Sequence, residues 1–256
     1  MNTPPNTVLY IQIEGPIGVG KSSTIQKLVE RTSMTRREDS NIVFMQQQED
    51  LDTWNFSAQP GVEGLFDEFL TTKDTKLDKR LQAAANLQAV IFALYLRQGQ
   101  ESAGMIKNHQ HWGDVIVVQE RSLRASIEVF LPLQEMKDQD RNMLEALGAG
   151  IECRLPKPDL VFYIDAGPDV CLTRCRERGR RNEENYTIEY FQHMENLYNK
   201  MLLEYGLENK LHRITDLNVE INNSKLRSAS QKIMNICMEK LKEKRHRDVE
   251  INQMWK

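Results

Sequence analysis

Residues 15–22 read Gly-Pro-Ile-Gly-Val-Gly-Lys-Ser, which is the phosphate-loop pattern Gly-x-x-x-x-Gly-Lys-Ser/Thr. A β-forming run at residues 8–13 precedes the motif, and a segment with helical periodicity at residues 22–31 follows it. In this context the glycines let backbone N–H groups turn toward phosphate oxygens, and the helix N-terminus adds partial positive charge. We therefore predict a strand, a phosphate-binding loop and a helix, with a nucleoside triphosphate as the ligand.

Two side chains of the motif carry specific chemistry, since Lys21 can neutralise terminal phosphates and the Ser22 hydroxyl can ligate Mg²⁺. The residues predicted to bind the triphosphate are Gly15, Pro16, Ile17, Gly18, Val19, Gly20, Lys21, Ser22 and Ser23. A phosphate loop is shared by kinases, GTPases, motors and regulatory switches. The sequence contains no Asn-Lys-x-Asp guanine reader, which disfavours a GTPase.

Strand and helix patterns alternate along the chain. Strands are predicted at residues 8–13, 41–45, 114–119, 159–165 and 211–215, and helices at 22–31, 64–70, 77–98, 123–130, 138–148, 168–180, 187–205 and 224–244. This alternation predicts an α/β fold of the P-loop kinase type, with a five-stranded, mostly parallel sheet covered by helices on both faces. We expect one domain over residues 1–240 and a charged C-terminal tail over residues 241–256.

Composition excludes several classes of protein. The 256 residues carry 34 basic and 37 acidic side chains, so a net charge of -3 gives no general attraction for nucleic acid. The longest apolar runs, at residues 115–118 and 160–164, fall short of the roughly 20 residues that cross a bilayer. Four cysteines without a Cys-x-x-Cys pair indicate a reducing compartment. We expect a cytoplasmic protein, with nuclear entry left open, that has neither nucleic acid nor a membrane as a partner.

Charged residues follow two of the predicted strands. Glu49 and Trp54 follow the second strand, where a carboxylate can accept a hydroxyl proton and an indole can stack on a base. Glu120-Arg121-Ser122 ends the buried third strand; Glu120 can hold Mg²⁺ directly or through water, and Arg121 can offset charge on a transferring phosphoryl group. The alternative for the Glu120 and Arg121 pair is a surface salt bridge.

An arginine-rich segment follows the fourth strand. Residues 174–181 read Arg-Cys-Arg-Glu-Arg-Gly-Arg-Arg, with five arginines in eight residues. Arg174 and Arg178 are four residues apart and share a helix face, and Gly179 allows the chain to break there. Together with the phosphate loop, this pattern predicts a lid over residues 174–186 that closes over triphosphate. The alternative is a solvated, charged helix end.

In their order and spacing these motifs resemble the deoxynucleoside kinase family, which includes deoxycytidine, deoxyguanosine, mitochondrial thymidine and insect multisubstrate kinases. The resemblance covers residues 9–222. It rests on the phosphate loop, Glu49 with Trp54, Leu81-Gln82, Glu120-Arg121-Ser122, residues 178–184 with Ile188-Glu189-Tyr190, and Asp216-Leu217-Asn218-Val219-Glu220. It implies ATP as the donor and a deoxynucleoside as the acceptor. It also implies a homodimer formed through the helices at residues 77–98 and 123–148.

The resemblance also implies roles for individual residues. Glu49 would be the general base for the 5′-hydroxyl, and Arg121 would contact the 5′ end and the phosphates. Gln82 would bind the pyrimidine edge, and Trp54 and Phe130 would contact the two faces of the base. Glu183, with Glu184 as a second carboxylate, would bind the 3′-hydroxyl. Contacts to ATP would come from Arg174, Arg178 and the backbone of Val219, Glu220 and Ile221.

Two departures from the family pattern bear on the substrate. No tyrosine stands near positions 70 and 71, where the family has a sugar-binding tyrosine. Ala89 and Ser126 stand where deoxycytidine and purine kinases carry an arginine and aspartate pair, and small side chains there leave room for a 5-methyl group. We therefore expect a broad kinase for thymidine, deoxycytidine or both. The alternatives are a thymidylate-type nucleoside monophosphate kinase and a non-catalytic ATP-binding regulator.

Overall fold

The computed structural model describes residues 7–34, 43–47, 77–108, 114–179 and 183–254. Strands and helices alternate within these ranges as β1 (Val8–Glu14), α1 (Lys21–Met34), β2 (Val43–Gln47), α2 (Leu77–Asn108), β3 (Val115–Glu120), α3 (Leu123–Ala125), α4 (Asp138–Glu152), β4 (Leu160–Ile164), α5 (Pro168–Arg178), α6 (Ile188–Leu207), β5 (Leu211–Ile214) and α7 (Asn223–Met254). A π-helical turn over Ser126–Phe130 continues α3, and a 3₁₀ turn over Glu183–Asn185 precedes α6. The predicted α/β class is confirmed.

The sheet is parallel and has the strand order β2-β3-β1-β4-β5. In this order β1 lies between β3 and β4, so the loop that follows β1 opens between the carboxyl ends of two neighbouring strands. Parallel α/β sheets present ligand sites at that edge, where the strand order reverses. The register pairs Ile13 with Glu120 and with Phe162, which places the end of β3 beside the phosphate loop.

Alternating side chains give the central strand two different faces. Leu9, Ile11 and Ile13 face a core formed with α1, α5 and α7, and all three are fully buried. The opposite face of β1 carries Tyr10, Gln12 and Glu14, and a second core of α3 and α6 residues packs on β4 on that side. The helices therefore cover both faces of the sheet, as predicted from the alternating pattern.

The C-terminal helix departs from the sequence expectation. We expected the last helix to end near residue 244 and residues 241–256 to form a charged tail, but α7 continues to Met254. Lys244 binds the Asp159 carboxylate at 2.7 and 2.9 Å, and Arg245 pairs with Asp114. Because these partners are distant in sequence, helical periodicity could not show these contacts, which hold the helix at residues 244 and 245.

The helix predicted at residues 123–130 is also more complex than its pattern indicates. Only Leu123–Ala125 is α-helical, and Ser126–Phe130 is a π-helical turn closed by a bond from Leu131 N to the Ser126 carbonyl at 2.9 Å. The helix predicted at residues 64–70 lies outside the described residues. Within the described residues, no helix is both long enough and apolar enough to cross a bilayer.

Candidate active site

The backbone of the phosphate loop requires glycine at two tightly packed positions. Gly15 has φ +146°, and a Cβ there would lie 2.7 Å from the Ile164 carbonyl oxygen. Gly18 has φ +78°, and a Cβ there would lie 2.9 Å from both the Cys175 sulfur and the Cys171 carbonyl oxygen. Backbone at positive φ strains other residues, and these contacts leave no room for a side chain. The loop is therefore held against the end of β4 and the start of α5.

Lys21 is folded onto the loop that it follows. The side chain is buried, and its ammonium donates to the carbonyl oxygens of Gly15 at 3.0 Å and Pro16 at 2.9 Å. These carbonyls hold the cation within the concave side of the loop. The structure therefore places this predicted phosphate ligand where loop N–H groups and the N-terminus of α1 also converge.

The end of β3 meets the start of α1 directly. The Ser22 hydroxyl donates to Glu120 Oε1 at 2.9 Å, and Glu120 is buried. A hydroxyl and a carboxylate in contact beside a phosphate loop are the oxygen donors that Mg²⁺ uses, together with water and phosphate oxygens. The two predicted metal ligands are thus brought together, and their chemistry fits that ion. Among the described residues no three His, Cys, Asp or Glu side chains form a metal cluster.

Arg121 has an unusual backbone for a residue other than glycine. Its φ is +58°, its N–H donates to the Ile13 carbonyl at 2.9 Å, and its side chain is buried. The guanidinium carbon lies 4.4 Å from the centre of the Phe130 ring, a cation–π contact. Positive φ in a bulky residue persists only where surrounding contacts hold it. The structure therefore brings together two predicted substrate ligands, Arg121 and Phe130.

The π-helical turn begins with a capped helix and leads to a buried polar cluster. Ser122 caps α3 by accepting from Ala125 N at 3.1 Å. The hydroxyl of Ser126 accepts from Gln88 Nε2 at 2.7 Å, and Gln88 Oε1 accepts from Gln134 Nε2 at 3.1 Å. Gln88 has no exposed surface. Single π-helical turns occur frequently at functional sites, and the first residue of this turn holds one buried amide.

Gln82 does not join this cluster. Its side chain is exposed and donates to Asn86 Oδ1 at 3.0 Å, one turn further along the same helix. Gln82 and Gln88 lie about 120° apart around α2 at 3.6 residues per turn. Sequence analysis did not single out Gln88, although the apolar residues around it in the helical pattern indicate the inward-facing position that the structure shows. The role of Gln82 at the base stays a prediction.

Ala89 also lies apart from Ser126. It packs against a hydrophobic cluster that includes Phe92 and Leu131. Both Ala89 and Ser126 were expected to leave room around a base, and only Ser126 belongs to the polar cluster with Gln88. The expectation of space for a 5-methyl group therefore depends on Ser126 alone.

The described part of the predicted lid contains an ion pair between two of its ligand residues. Arg178 Nε donates to Glu183 Oε2 at 3.2 Å, and Arg178 Nη2 donates to the other carboxylate oxygen. Glu183 is buried, and Gly179 ends α5 at φ +63°. The arginine expected at ATP and the glutamate expected at the sugar thus hold each other. Residues 180–182 lie outside the described residues, so the complete lid remains a prediction.

The segment after β5 borders the phosphate loop. Arg174 Nη2 donates to the Leu217 carbonyl, and a Cβ on Gly20 would lie 2.9 Å from Ile221 Cδ1. Val219 is 77% exposed and Ile221 is 37% exposed, unusually high values for apolar side chains. The predicted adenine segment, which also includes Glu220, therefore lies beside the loop with apolar surface open to a ligand.

Aromatic residues enclose the site on the α6 side. Tyr186 and Tyr190 are stacked with ring centres 4.9 Å apart, and the edge of Tyr198 lies against Phe130. Burial, with a smaller contribution from the neighbouring Glu183 carboxylate, raises the pKa of Tyr186 to about 12. Burial also raises the pKa of the Tyr198 hydroxyl, whereas Arg121 opposes that shift. These tyrosines therefore remain neutral near pH 7 and can act as hydroxyl donors.

Three predicted ligands lack a structural description. Glu49 and Trp54 lie outside the described residues, as does the side chain of Glu184. The proton acceptor and the second base-holding aromatic therefore stay predictions. The structure does bring together Lys21, Ser22, Glu120, Arg121 and Phe130 at one edge of the sheet, next to a lid ion pair and a buried amide.

The comparisons with known proteins agree with this arrangement. The family model described as "Deoxynucleoside kinase" matches residues 11–244. A deoxyadenosine kinase from Dictyostelium discoideum is 30% identical over 67 residues, or 26% of this chain. The matched stretch spans 27% of that relative's length.

Two solved structures share the fold. A deoxyadenosine kinase from M. mycoides with dCMP and a flexible dCDP bound has a TM-score of 0.63 and 14% identity, covering 90% of this chain and 100% of that one. The same enzyme with bound dCTP has a TM-score of 0.58 and 15% identity, covering 89% and 99% of the two chains. At such identities the likeness concerns the fold.

Proposed function

The chain belongs to the deoxynucleoside kinase family, and on that premise we propose that it transfers the γ-phosphate of ATP to the 5′-hydroxyl of a deoxyribonucleoside. The observation that carries this proposal is the convergence of Lys21, Ser22, Glu120 and Arg121 at the carboxyl edge of β1 and β3. Catalysis of phosphoryl transfer depends chiefly on positioning and on stabilising charge on the transferred group. Lys21 and Arg121 supply positive charge for the phosphates, and Ser22 and Glu120 supply oxygen ligands for Mg²⁺.

On the donor side, the loop N–H groups and Lys21 bind the β- and γ-phosphates. Lys21 exchanges the carbonyl oxygens of Gly15 and Pro16 for phosphate oxygens, to which an ammonium binds more strongly because they are charged. Ser22 and Glu120 would hold Mg²⁺, which when bound would neutralise charge on the phosphates. The adenine lies against Val219 and Ile221 and meets the backbone of residues 219–221.

On the acceptor side, Glu49 accepts the proton of the 5′-hydroxyl and aligns that oxygen with the γ-phosphorus. Arg121 then faces the equatorial oxygens of the transferring group, with its guanidinium supported by the Phe130 ring. Trp54 and Phe130 hold the base from opposite sides. Glu183 reaches the 3′-hydroxyl after Arg178 moves to the triphosphate, so ATP and nucleoside are expected to favour each other's binding.

Base recognition falls to Gln88 rather than Gln82. Gln88 is a buried amide whose donor and acceptor are both oriented by neighbours, whereas Gln82 is solvent-exposed on another face of α2. An amide can pair with the edge of thymine or of cytosine, because it offers a donor next to an acceptor. We propose thymidine, deoxycytidine or both as substrates.

Deoxyadenosine is the second candidate substrate. The similar proteins from Dictyostelium discoideum and M. mycoides are deoxyadenosine kinases. Adenine also presents an amino group beside a ring nitrogen acceptor, as cytosine does, so the Gln88 amide suits both bases. The space available at the base site, rather than the hydrogen-bond pattern, would decide between adenine and cytosine.

We also propose that the protein acts in the cytoplasm as a homodimer, with α4 in the interface. Met143 is 59% exposed and Leu147 is 46% exposed, and their spacing of four residues places them on one face of that helix. Exposed apolar residues on one face are typical of an interaction site. Sedimentation at micromolar concentration is expected to give twice the mass of 29.8 kDa, and a monomer there would contradict a dimer.

One assay separates the proposed activity from its rivals. Purified protein is incubated with MgATP and, separately, thymidine, deoxycytidine, deoxyadenosine, deoxyguanosine and thymidine monophosphate, and the products are separated by charge. We expect monophosphates from thymidine or deoxycytidine. Diphosphate from thymidine monophosphate alone would indicate a nucleoside monophosphate kinase, and ATP binding without any product would indicate a regulator.

A further inference from the structure

Glu14 is a buried acid that the mechanism above does not use. It is the last residue of β1, directly before the phosphate loop, and its side chain has no exposed surface. Taking a carboxylate out of water is costly unless cations or hydrogen-bond donors compensate it. The surroundings of Glu14 therefore indicate what this carboxylate does.

The neighbours of Glu14 come from three elements. Tyr163 is its register partner on β4, and Tyr198 and Tyr205 face it from α6. On the β3 side the ladder continues past Ile13 and Glu120 to Arg121, whose N–H donates to the Ile13 carbonyl at 2.9 Å. Glu14 and Arg121 therefore occupy adjacent positions at the ends of neighbouring strands, and both side chains are buried.

The Tyr198 hydroxyl experiences the charges of both residues. Arg121 lowers the pKa of this hydroxyl, and Glu14 raises it. A second arginine, Arg124, lies over the Tyr205 ring, but its Nε binds Glu128 Oε1 at 2.6 Å and its Nη2 binds Glu204. Lys21 donates to the carbonyl oxygens of Gly15 and Pro16, and Arg213, which lies over the Tyr163 ring, pairs with Asp165 at 3.0 Å. Among the cations of the described residues, Arg121 is therefore the best placed to compensate Glu14.

We propose that Glu14 is a positioning residue that acts through Arg121, its buried carboxylate directing the guanidinium from the Phe130 ring toward the transferring phosphoryl group. This inference rests on the proposed function, in which Arg121 neutralises that group. A guanidinium held only by a ring face can rotate about the ring normal, whereas a second, charged contact fixes its orientation. The left-handed backbone of Arg121 fixes the position of its Cβ, and the Glu14 carboxylate fixes the position of its guanidinium.

The test is Glu14→Gln, which keeps the shape of the side chain and removes its charge. We expect kcat to fall by about 100-fold, the cost typical of a misplaced catalytic group. The KM for ATP should change by less than about 3-fold, because the phosphate loop is untouched. In an Arg121→Met background the same change should cost less than about 3-fold in kcat, since residues that act as a unit are not additive.

Gln12→Leu is the matched control, because Gln12 is a buried polar residue two positions earlier on the same face of β1. It should lower stability and leave kcat within about 2-fold. Should Glu14→Gln not fold, Glu14→Asp keeps the charge on a shorter stem and is expected to fold with a reduced kcat. Wild-type kcat in a folded Glu14→Gln or in Glu14→Asp, or equal losses with and without Arg121, would overturn the inference.

A readout that needs no activity keeps this inference separate from the proposed function. Urea unfolding of wild type, Glu14→Gln, Arg121→Met and the double variant is expected to show that the double variant loses less stability than the two single changes together. Additive losses would overturn the Glu14–Arg121 pair even in an active enzyme. Wild-type protein without product from any nucleoside would instead reject the proposed function, and the stability coupling would still decide the pair.

Discussion

At the carboxyl edge of the sheet, Lys21 and Arg121 are buried beside a loop that contains glycines with positive φ. At the amino edge, Lys244 of α7 binds Asp159, and Arg245 of the same helix binds Asp114. The same residue types thus serve both ends of the strands. The two cations at the amino edge have nearby carboxylates as partners. Each of these carboxylates also accepts a backbone hydrogen bond: Asp159 from Tyr10 N at 2.9 Å, and Asp114 from Thr7 N at 3.0 Å.

Structural and functional charges in this fold differ in what their hydrogen-bond partners are. At the amino edge each carboxylate binds backbone and a cation, so its hydrogen-bonding capacity serves to hold the strands to α7. At the carboxyl edge Lys21 is held by carbonyl oxygens of the loop itself, and these contacts can be exchanged for a ligand. Strained backbone also concentrates at the carboxyl edge, as is common at functional sites.

The largest effect is expected from the two lysines. Lys21→Met should lower kcat/KM by about 1,000-fold, because it removes a charge aimed at the transferring phosphates. Lys244→Met removes the same charge at the amino edge and should leave kcat/KM within about 2-fold. Initial rates with radiolabelled ATP measure both. Similar losses in the two variants would break the distinction between the edges.

Glycines provide the next comparison. Gly18→Ala should lower kcat/KM by about 100-fold, because a Cβ 2.9 Å from the Cys175 sulfur must displace the loop from its phosphate-binding geometry. Gly179 has a similar positive φ, but no atom of the described residues lies within 4 Å of its Cβ position. Gly179→Ala should therefore lose about 1 kcal/mol of stability and little activity. Normal rates in Gly18→Ala would show that the loop tolerates displacement.

The two glutamines of α2 test which residue binds the nucleoside base. Gln88→Met should raise the KM for the nucleoside by about 10-fold to 100-fold, the cost of losing a buried hydrogen bond to the base. Gln82→Met should leave it unchanged, since Gln82 binds Asn86 on an exposed face. Steady-state kinetics at saturating ATP separates them. A dominant effect at Gln82 would favour the assignment by sequence resemblance over the structural one.

The smallest effect on activity is expected at Asp114. Asp114→Ala removes its bonds to Thr7 N and Arg245, so the free energy of unfolding should fall by about 1–3 kcal/mol. Turnover of the folded enzyme should be unchanged. Urea unfolding and initial rates on the same preparation check this expectation. A loss of turnover without a loss of stability would place catalytic function at the amino edge.

Local patterns predicted the framework well. Apolar strands at residues 8–13 and 114–119 lie within one residue of β1 and β3, because strands buried on both faces leave continuous apolar runs. The phosphate loop and the Glu120 and Arg121 pair were also found from sequence, since each follows directly from a strand end. Motifs that are contiguous in the chain need no tertiary information.

The features that the sequence did not predict all depend on contacts between residues that are distant in the chain. The two glutamines of α2 look alike in sequence, and only the helix rotation relative to Ser126 distinguishes Gln88. In the sequence pattern Glu14 does not differ from other polar residues, and only the folded sheet shows that it is buried. Residues 240–256 lack a sustained apolar pattern in sequence, and the ion pairs of Lys244 with Asp159 and of Arg245 with Asp114 span more than 80 residues.

The most direct measurement of the central claim follows the γ-phosphate of labelled ATP in the presence of deoxycytidine. We expect the label to appear in dCMP, at a rate that Lys21→Met lowers about 1,000-fold. Label released only as inorganic phosphate, or retained in ATP with thymidine and deoxyadenosine as well, would contradict the assignment of the carboxyl edge as a nucleoside kinase site.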